Sequence, residues 1–343
     1  MPQLGVGIVP SGAIGNELVA TTRRAFIPRL VVQIYKATPL LSLLMRNAQR
    51  AKGGVSQITV PVQGGSFVSF SWSDYSGVFP QPAVQTAAQN AEFNLKLGVV
   101  PIPFMGMEAL IQSSEAVIPI LKARMADAKT VAVQAISSSL FSNNSSQPTQ
   151  VDSLYQAYDD GTNVSTYGGI NRSTAGNSFW KSTLKTSVSG ILTRTAFTPY
   201  ITQTMSLAGG EAPDFVVLSP GDWTKLMTDY MGSSSGGPES FRTMPGTRYG
   251  ADDVVNSGFR GILLGDTPVF MDPFCPTGTS YIINSRYLAL YMSEDAPFAF
   301  SGFYSAIPNL QIANIGVVIV AFDVVCTKPI SGMHITGITG GSF

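Results

Sequence analysis

A long stretch without positive charge most constrains what this chain can fold into. No lysine or arginine occurs from Gly53 to Leu95. Within it, "SQITVPV" and "SFVSFSW" alternate β-forming with polar residues. After a Gln/Ala-rich stretch, "FNLKLGVV", which begins at Phe93 and continues past Leu95, resumes the pattern. Alternation with a period of two is typical of strands with one buried face. The sequence therefore predicts a long two-stranded β-arm from Gly53 to Leu95.

Aromatic side chains are concentrated toward the predicted tip of this arm. An isolated hairpin is only marginally stable in water, and an apolar, nearly uncharged one presents a surface that favours association. We expect the arm to lie on another subunit; folding back onto its own core is the alternative. The predicted contact residues are Phe67, Phe70, Trp72, Tyr75 and Phe79.

The composition also favours self-association. Charged residues make up 12% of the chain, against about 25% in ordinary soluble domains, and the formal net charge is zero. A low surface charge with no net repulsion between identical copies predicts that much of the exterior is covered by other subunits.

The balanced charge conceals an asymmetry along the chain. Residues 1–73 carry seven basic side chains and one acidic one, and the remainder carries the opposite excess. Two interpretations are open: ordinary solvated helix faces, or a surface turned toward a polyanion such as packaged nucleic acid. The candidate genome-facing residues are Arg23, Arg24 and Arg29.

Helical patterns flank the predicted arm. Thr38 and Pro39 predict an N-cap and first helical residue for "LLSLLMRN". A longer helix is predicted from Pro119 to Phe141, about 35 Å long. Its predicted apolar face is formed by Leu121, Met125, Ala128, Val131, Ala132, Ala135, Ile136 and Leu140.

The segment 154–300 predicts a separate mixed domain. "YITQTMSLAGG" is predicted to be a helix closed by Gly209, "DFVVLS" a buried strand, and Ser219 to Asp222 the start of another helix. "GILLGDTPVFMD" and "YIINSRYLALYM" are predicted as two hairpins, and the chain from Asn309 as a long strand beside the long helix. The apolar run from Ile312 is too short to span a membrane.

Catalytic signals are weak. Ser234 lies in a GxSxG match, but a serine–glycine loop followed by Pro238 lacks the strand and helix that this motif requires. The only histidine, His334, is predicted to be a surface residue of a glycine-rich tail. The acidic pairs Asp159-Asp160, Asp252-Asp253 and Glu294-Asp295 stand beside turn signals, where carboxylates cap the backbone as often as they bind metal. We therefore predict no enzyme, no cofactor and no metal.

The stretch "YGGINRSTAGNSFWKS" (residues 167–182) admits two interpretations, a phosphate-binding loop or a structural joint. The chain contains no Gly-Lys-Ser or Gly-Lys-Thr, so a Walker loop is excluded. Glycines permit sharp turns, and arginine and tryptophan donate hydrogen bonds that fasten neighbouring segments. The residues alone leave both interpretations open, and the candidates for a joint are Gly168, Gly169, Arg172 and Trp180.

The order of these elements resembles the major capsid proteins of tailed bacteriophages, which have the Hong Kong 97 fold. The resemblance covers essentially the whole chain, and it includes "TPLLSLL", "YGGINRSTAGNSFWKS", "DFVVLSPGDWTKL" and "DTPVFMDPFCPTGTSYIIN". It implies an α+β fold with an N-terminal arm (1–50), an extended hairpin or E-loop (51–97), a peripheral domain with a long spine helix (98–153 and 301–343) and an axial α/β domain (154–300). It also implies that residues 167–182 lie where the chain passes from the peripheral to the axial domain, and that Gly168, Gly169, Arg172 and Trp180 form a structural joint there.

The resemblance implies a shell subunit that assembles into hexamers and pentamers of an icosahedral head around double-stranded DNA. Its partners would be copies of itself, a separate scaffolding protein, a portal and cement proteins, and its place the virion after assembly in the host cytoplasm. Some members of the family join their subunits covalently through an E-loop lysine and an asparagine of a neighbour. This chain has no lysine between Gly53 and Leu95, so crosslinking by that route is disfavoured.

Three alternatives stay open: an encapsulin-like nanocompartment shell, a serine hydrolase using Ser234 and His334, and a phage adhesin that binds glycans.

Overall fold

The computed structural model describes most of the chain beyond residue 37. The described residues are 38–52, 54–65, 72, 88–105, 114–186, 188, 190, 193–232, 261–264, 267–305 and 313–339. Their helices are α1 (Pro39–Arg46), α2 (Ser114–Phe141), α3 (Leu154–Ala157), α4 (Arg194–Leu207) and α5 (Pro220–Gly232), with 3-10 turns at Ser178–Trp180 and Pro329–Ser331.

A four-stranded sheet has the order β1-β12-β13-β4. β12 and β13 are antiparallel and run 18 and 14 residues, and register shifts interrupt their pairing on the β12 side near Pro297 and again before Phe303. Such bulges bend a long strand and increase its twist. The strands are β1 (Gln49–Ala51), β4 (Lys96–Met105), β12 (Leu288–Ser305) and β13 (Ala313–Cys326).

The long helix α2 packs against this sheet, as the sequence predicts. Ile102 of β4, Met125 of α2 and Phe300 of β12 form a buried apolar cluster between them. The helix begins at Ser114, before the predicted Pro119, so this proline lies inside the helix and not at its first position. The predicted apolar face is only partly right, because Val131 is 48% exposed.

The predicted two-stranded arm is present at its base. β2 (Gln57–Gln63) and β3 (Ala88–Asn94) pair antiparallel, with Gln57 opposite Asn94 and Gln63 opposite Ala88. The return strand is therefore the Gln/Ala-rich stretch, and "LKLGVV" belongs to β4 in the four-stranded sheet. Cross-strand pairing outweighs the low β-propensity of Ala, Gln and Asn here.

A mixed six-stranded sheet has the order β7-β14-β11-β8-β10-β9. β7 and β14 are parallel, as are β8 and β10, and the other neighbours are antiparallel. On one face Val216 and Ile282 pack with Phe197 of α4 and Leu226 of α5. The strands are β7 (Thr183–Lys185), β8 (Phe215–Leu218), β9 (Gly261–Leu264), β10 (Thr267–Met271), β11 (Ser280–Ile283) and β14 (Met333–Ile335).

Two strand assignments differ from the sequence prediction. "YIINSRYLALYM" is not a hairpin, because β11 lies in the six-stranded sheet and β12 in the four-stranded sheet. β14 falls within the range 301–343 that was predicted to accompany the long helix, yet it lies between β7 and β11. Alternation indicates that a segment is a strand but not which partner it takes, and here the partners are far apart in sequence.

Local helix signals agree with the structure. α1 begins at Pro39 after Thr38, and α4 is followed by Gly209 and Gly210, which both have positive φ. At α5 the Ser219 hydroxyl accepts a hydrogen bond from the Asp222 N–H at 3.2 Å. The predicted hairpin of β9 and β10 is also present.

Candidate joint at the base of the long hairpin

Gly168 and Gly169 form a tight two-residue turn. β5 (Thr166–Tyr167) and β6 (Ile170–Asn171) pair antiparallel on either side of it, and the two glycines have φ of +56° and +74°. Positive φ at both central residues is the requirement of a type I′ hairpin turn. A Cβ atom on Gly168 would also lie 2.7 Å from the ring of Phe93 in β3. Glycine is therefore needed at this position for two reasons: the turn requires its positive φ, and the long hairpin β2–β3 packs where a side chain would be.

Arg172 is completely buried directly after this small hairpin. Its Nε donates to the Trp180 carbonyl at 3.0 Å, Nη1 donates to the Gln156 carbonyl at 2.8 Å, and Nη2 donates to the Ala157 carbonyl at 2.8 Å. Gln156 and Ala157 are the last residues of α3, where the helix dipole favours a cation. Burial lowers the pKa of Arg172, but guanidinium groups remain protonated in proteins.

Asp159 closes the loop beside Arg172. Its Oδ2 accepts hydrogen bonds from the N–H groups of Gly161, Asn163 and Val164, and its Oδ1 accepts one from the Asn163 side chain. Both carboxylate oxygens thus accept hydrogen bonds from the loop. From the sequence, Asp159 could either cap the backbone or bind a metal, and in the structure it caps the backbone. In the part of the chain that the structure describes, no group of three or more His, Cys, Asp or Glu side chains is placed to hold a metal.

Trp180 joins the small hairpin to the four-stranded sheet. The side chain is fully buried, and its Nε1 donates to the Tyr167 carbonyl at 2.9 Å. The Tyr167 hydroxyl in turn accepts a hydrogen bond from the Cys326 N–H, at the end of β13, at 2.9 Å. The 3-10 turn that carries Trp180 is therefore held directly to β5, and through Tyr167 to β13.

The next residues hold the six-stranded sheet to the same unit. The Ser182 N–H donates to the Asp159 carbonyl at 3.1 Å, and the Ser182 hydroxyl donates to the Gly332 carbonyl at 2.7 Å. Ser182 immediately precedes β7, and Gly332 immediately precedes β14. Both strands therefore start from positions that are fixed relative to Arg172.

The base of the long hairpin docks on this unit. Phe93 packs edge-on against Tyr167 at a centroid distance of 5.1 Å, and the Glu92 N–H donates to the Gly168 carbonyl at 2.9 Å. The Gln89 side chain donates to the Asn177 side-chain oxygen at 2.9 Å. Phe93 and Tyr167 both belong to the main apolar core. We refer to residues 153–182 with these hairpin contacts as the joint.

The structure brings the predicted joint residues Gly168, Gly169, Arg172 and Trp180 together. Sequence reasoning missed Phe93, Tyr167 and Asp159 as members of the same unit. Phe93 was assigned to the return strand without a partner, and only the turn-forming context of Asp159 signalled its role.

The predicted assembly residues are described only in part. Trp72 is 92% exposed. The other candidates lie outside the described residues: Phe67, Phe70, Tyr75, Phe79, Arg23, Arg24 and Arg29.

Two buried titratable groups lie in the sheets. Asp323 of β13 accepts a hydrogen bond from the Asp152 N–H at 2.9 Å, while its Oδ2 is buried without a hydrogen-bond partner among the described residues. Burial, and then the nearby Asp152 carboxylate, raise the pKa of Asp323 to about 8, and the charge of Lys96 opposes them. This pair was not predicted from the sequence.

His334 is buried at the centre of β14, so its prediction as a surface tail residue is wrong. Its ring stacks on Tyr281 at 4.5 Å, and neither ring nitrogen has a hydrogen-bond partner among the described residues. Burial lowers the pKa of His334 to about 4. A buried imidazole in a sheet centre is inaccessible to a substrate, which argues against the hydrolase that pairs it with Ser234, a residue outside the described ranges.

The two cysteines are buried thiols. Burial raises the pKa of Cys326 to about 11 and raises that of Cys275 as well. Both therefore remain protonated near neutral pH and lack the thiolate that nucleophilic or redox chemistry requires.

Among the helices that the structure describes, none is long and apolar enough to cross a membrane.

Chains of phage capsids are among the solved structures that match this chain. A chain of the cyanophage A-1(L) capsid matches with a TM-score of 0.68 and 16% identity, covering 88% of this chain and 93% of that one. A chain of Mycobacterium phage Patience matches with a TM-score of 0.53 and 11% identity, covering 95% and 90%. This chain shares their fold. The prediction of an α+β fold of the phage-capsid type is confirmed.

An encapsulin has the same fold. A chain of the holo-SrpI encapsulin complex from Synechococcus elongatus matches with a TM-score of 0.53 and 12% identity, covering 88% of each chain. No protein-family model matches the sequence, and no curated protein sequence matches it.

Proposed function

We propose that this chain is the major capsid protein of a tailed phage, assembling into hexamers and pentamers of an icosahedral head that encloses double-stranded DNA. The observation that carries the proposal is the fold shared with a cyanophage capsid chain along 88% of the present chain. The division into N-terminal arm, E-loop, peripheral domain and axial domain of the Hong Kong 97 fold is part of this proposal.

The mechanism is mechanical and not catalytic. Individually small contacts, repeated around closed symmetry, stabilise a shell collectively. The joint fixes where the long hairpin leaves each subunit, and the exposed Trp72 near its tip lies on the neighbouring subunit. A side chain of this size that is 92% exposed in the single chain contributes a large apolar area to such a contact.

The partners follow from a shell that packages DNA. Arg23, Arg24 and Arg29 face the genome and neutralise phosphates without reading sequence. A scaffolding protein guides assembly in the host cytoplasm, a portal occupies one vertex, and cement proteins stabilise the finished virion.

A second candidate is the shell of an encapsulin-like nanocompartment, which is favoured by the similarity to the SrpI encapsulin. The two functions differ in contents: a phage head holds double-stranded DNA, and a nanocompartment holds cargo protein. Nuclease-protected nucleic acid in particles purified from the native source supports the phage head, and its absence together with co-purifying cargo supports the nanocompartment.

Negative-stain electron microscopy of the purified protein tests both candidates at once, with closed particles as the expected result. Trp72→Asp should yield a folded subunit that fails to form shells, because a carboxylate would be buried in the contact, whereas Trp72→Phe should retain assembly. A wild-type chain that stays monomeric at high concentration overturns the shell function. Normal shells from Trp72→Asp would instead remove only the hairpin contact.

A further inference from the structure

β4 is an edge strand whose outward-facing backbone N–H and C=O groups can pair with a further strand. It pairs only with β13 among the described strands, in unbroken register from Lys96 to Met105. The side chains of Leu97 and Val99 are 60% and 52% exposed. A long exposed edge with apolar side chains is a template for another strand.

The two prolines show which way the backbone groups point. Proline has no N–H, so it is tolerated in a sheet where that position faces away from the neighbouring strand. Pro101 and Pro103 therefore direct their polar groups away from β13, and the Arg124 guanidinium donates to the Pro103 carbonyl at 3.1 Å from α2. Because strand geometry repeats every two residues, Leu97 and Val99 present their N–H and C=O groups to the free edge.

A groove runs beside this part of the edge. It has a volume of about 390 Å³, and one wall is the start of β4, from Lys96 to Gly98. The opposite wall is formed by Ser138, Ser139 and Ser142 of α2, and the buried side chains of Ile136 and Phe322 line it as well. An added strand would meet hydrogen-bonding groups on its β4 side and a small-residue wall on its helix side.

The chain itself contains a segment of matching pattern. In "QLGVGIV" at residues 3–9, Leu4, Val6 and Ile8 alternate with Gly5 and Gly7. In a strand on the β4 edge, the three apolar side chains would extend the exposed row of Leu97 and Val99. The glycines would face the opposite side, toward the serine wall of α2.

This segment can reach the groove. The described chain begins at Thr38, whose hydroxyl lies 3.2 Å from the Ser137 hydroxyl on α2, one residue from the groove-lining Ser138. The residues between position 9 and Thr38 span up to about 95 Å when extended, at ~3.3 Å each. That length reaches the groove of the same chain or of an adjacent copy.

We propose that residues 3–9 add as a strand to the free edge of β4 and occupy this groove. The interaction is β-augmentation, in which backbone hydrogen bonds supply affinity and the alternating side chains set the register. It does not depend on the proposed shell, because the edge and the segment belong to every copy of the chain.

Single-amide hydrogen exchange tests the proposal in the full-length chain. Val6→Pro removes a donor from the middle of the segment, and Asn16→Pro is the matched control outside it. We expect the Leu97 and Val99 amides to exchange about tenfold faster in Val6→Pro than in wild type, as for an amide that loses its hydrogen bond. Gly98 and Val100, whose amides face β13, should be unchanged in both variants and serve as internal controls.

Equal exchange of Leu97 and Val99 in wild type and Val6→Pro would overturn the proposal. A photo-crosslinker at Val99 provides a second measurement, with one at the exposed Val131 of α2 as control. Adducts from Val99 to residues 3–9, within a chain or between chains, support the proposal. Adducts from Val99 to any other segment, or none, contradict it.

Discussion

The joint and the two sheets differ in whether their buried charged and titratable side chains have hydrogen-bond partners. At the joint, the Arg172 side chain donates to backbone carbonyls, and Asp159 accepts from backbone N–H groups at Oδ2 and from the Asn163 side chain at Oδ1. The Tyr158 hydroxyl, which is uncharged, is the exception there, because it is buried without a hydrogen-bond partner among the described residues. In the sheets, one oxygen of Asp323 and both nitrogens of His334 have none among the described residues. A satisfied buried network specifies one conformation, whereas an unsatisfied titratable group makes stability depend on pH. The joint is thus expected to hold its geometry across conditions in which the sheets weaken.

Removing the central side chain of the joint should have the largest effect. Arg172→Met leaves the carbonyls of Gln156, Ala157 and Trp180 buried without their donor, and we expect the free energy of unfolding to fall by about 4 kcal/mol. Chemical denaturation of the unassembled subunit measures it. Arg286→Met, which removes an exposed arginine, should cost less than about 1 kcal/mol. Equal losses in the two variants would mean that Arg172 is not central to the joint.

The second-largest effect concerns His334, which should lower the stability of the protein only at acidic pH. Because the pKa of His334 is about 4 when folded, below its ordinary value of 6.5, wild-type stability is complete above pH 6.5 and is lost as the pH falls through 4. His334→Phe keeps the ring on Tyr281 without a titrating group. It should be more stable than wild type by about 3 kcal/mol near pH 4 and similar at pH 7.

Thermal unfolding across this pH range measures the His334 effect, and the assignment is clean because the chain has one histidine. A constant difference between pH 4 and 7 would contradict it.

Asp323 should act in the opposite direction. Its pKa is raised to about 8, so the stability it contributes is complete below about pH 4 and is lost as the pH rises through 8. Asp323→Asn retains the acceptor for the Asp152 N–H, and it should gain about 2 kcal/mol over wild type between pH 5 and 8. Chemical denaturation between pH 5 and 8 measures the difference, and a difference that stays constant with pH would contradict the assignment to Asp323.

The smallest effect separates two adjacent glycines. Gly168→Ala and Gly169→Ala both place alanine at positive φ, at a cost of about 1 kcal/mol. Only the Gly168 variant also presses against Phe93, since nothing lies within 4 Å of a Cβ on Gly169. We expect it to cost about 1 kcal/mol more, and Phe93→Leu should relieve part of the excess. Equal costs would show that the hairpin base does not depend on this contact.

Signals confined to a few residues predicted the local structure well. Thr38-Pro39 and Ser219 to Asp222 start helices where the sequence places them, and the Gly168-Gly169 turn forms between β5 and β6. Gly168, Gly169, Arg172 and Trp180 lie within one short stretch, so turn chemistry and strong donors bring them together locally, and their role as a joint stays a prediction.

Features that depend on distant partners were not predictable. β3 is a strand because β2 lies beside it, and His334 is buried because β7 and β11 flank β14. A glycine-rich flank concealed the apolar Met333 and Ile335 on either side of that histidine. The burial of Asp323 beside Asp152 could not be predicted either, because only the fold brings these two residues together.

The position of β14 between β7 and β11 also affects when a newly made chain becomes competent. The six-stranded sheet stays open until residues 333–335 have been synthesised, because no earlier segment that the structure describes takes the place between those two strands. Nascent and truncated chains therefore lack a finished sheet, and a growing shell would recruit only subunits whose translation has passed this point.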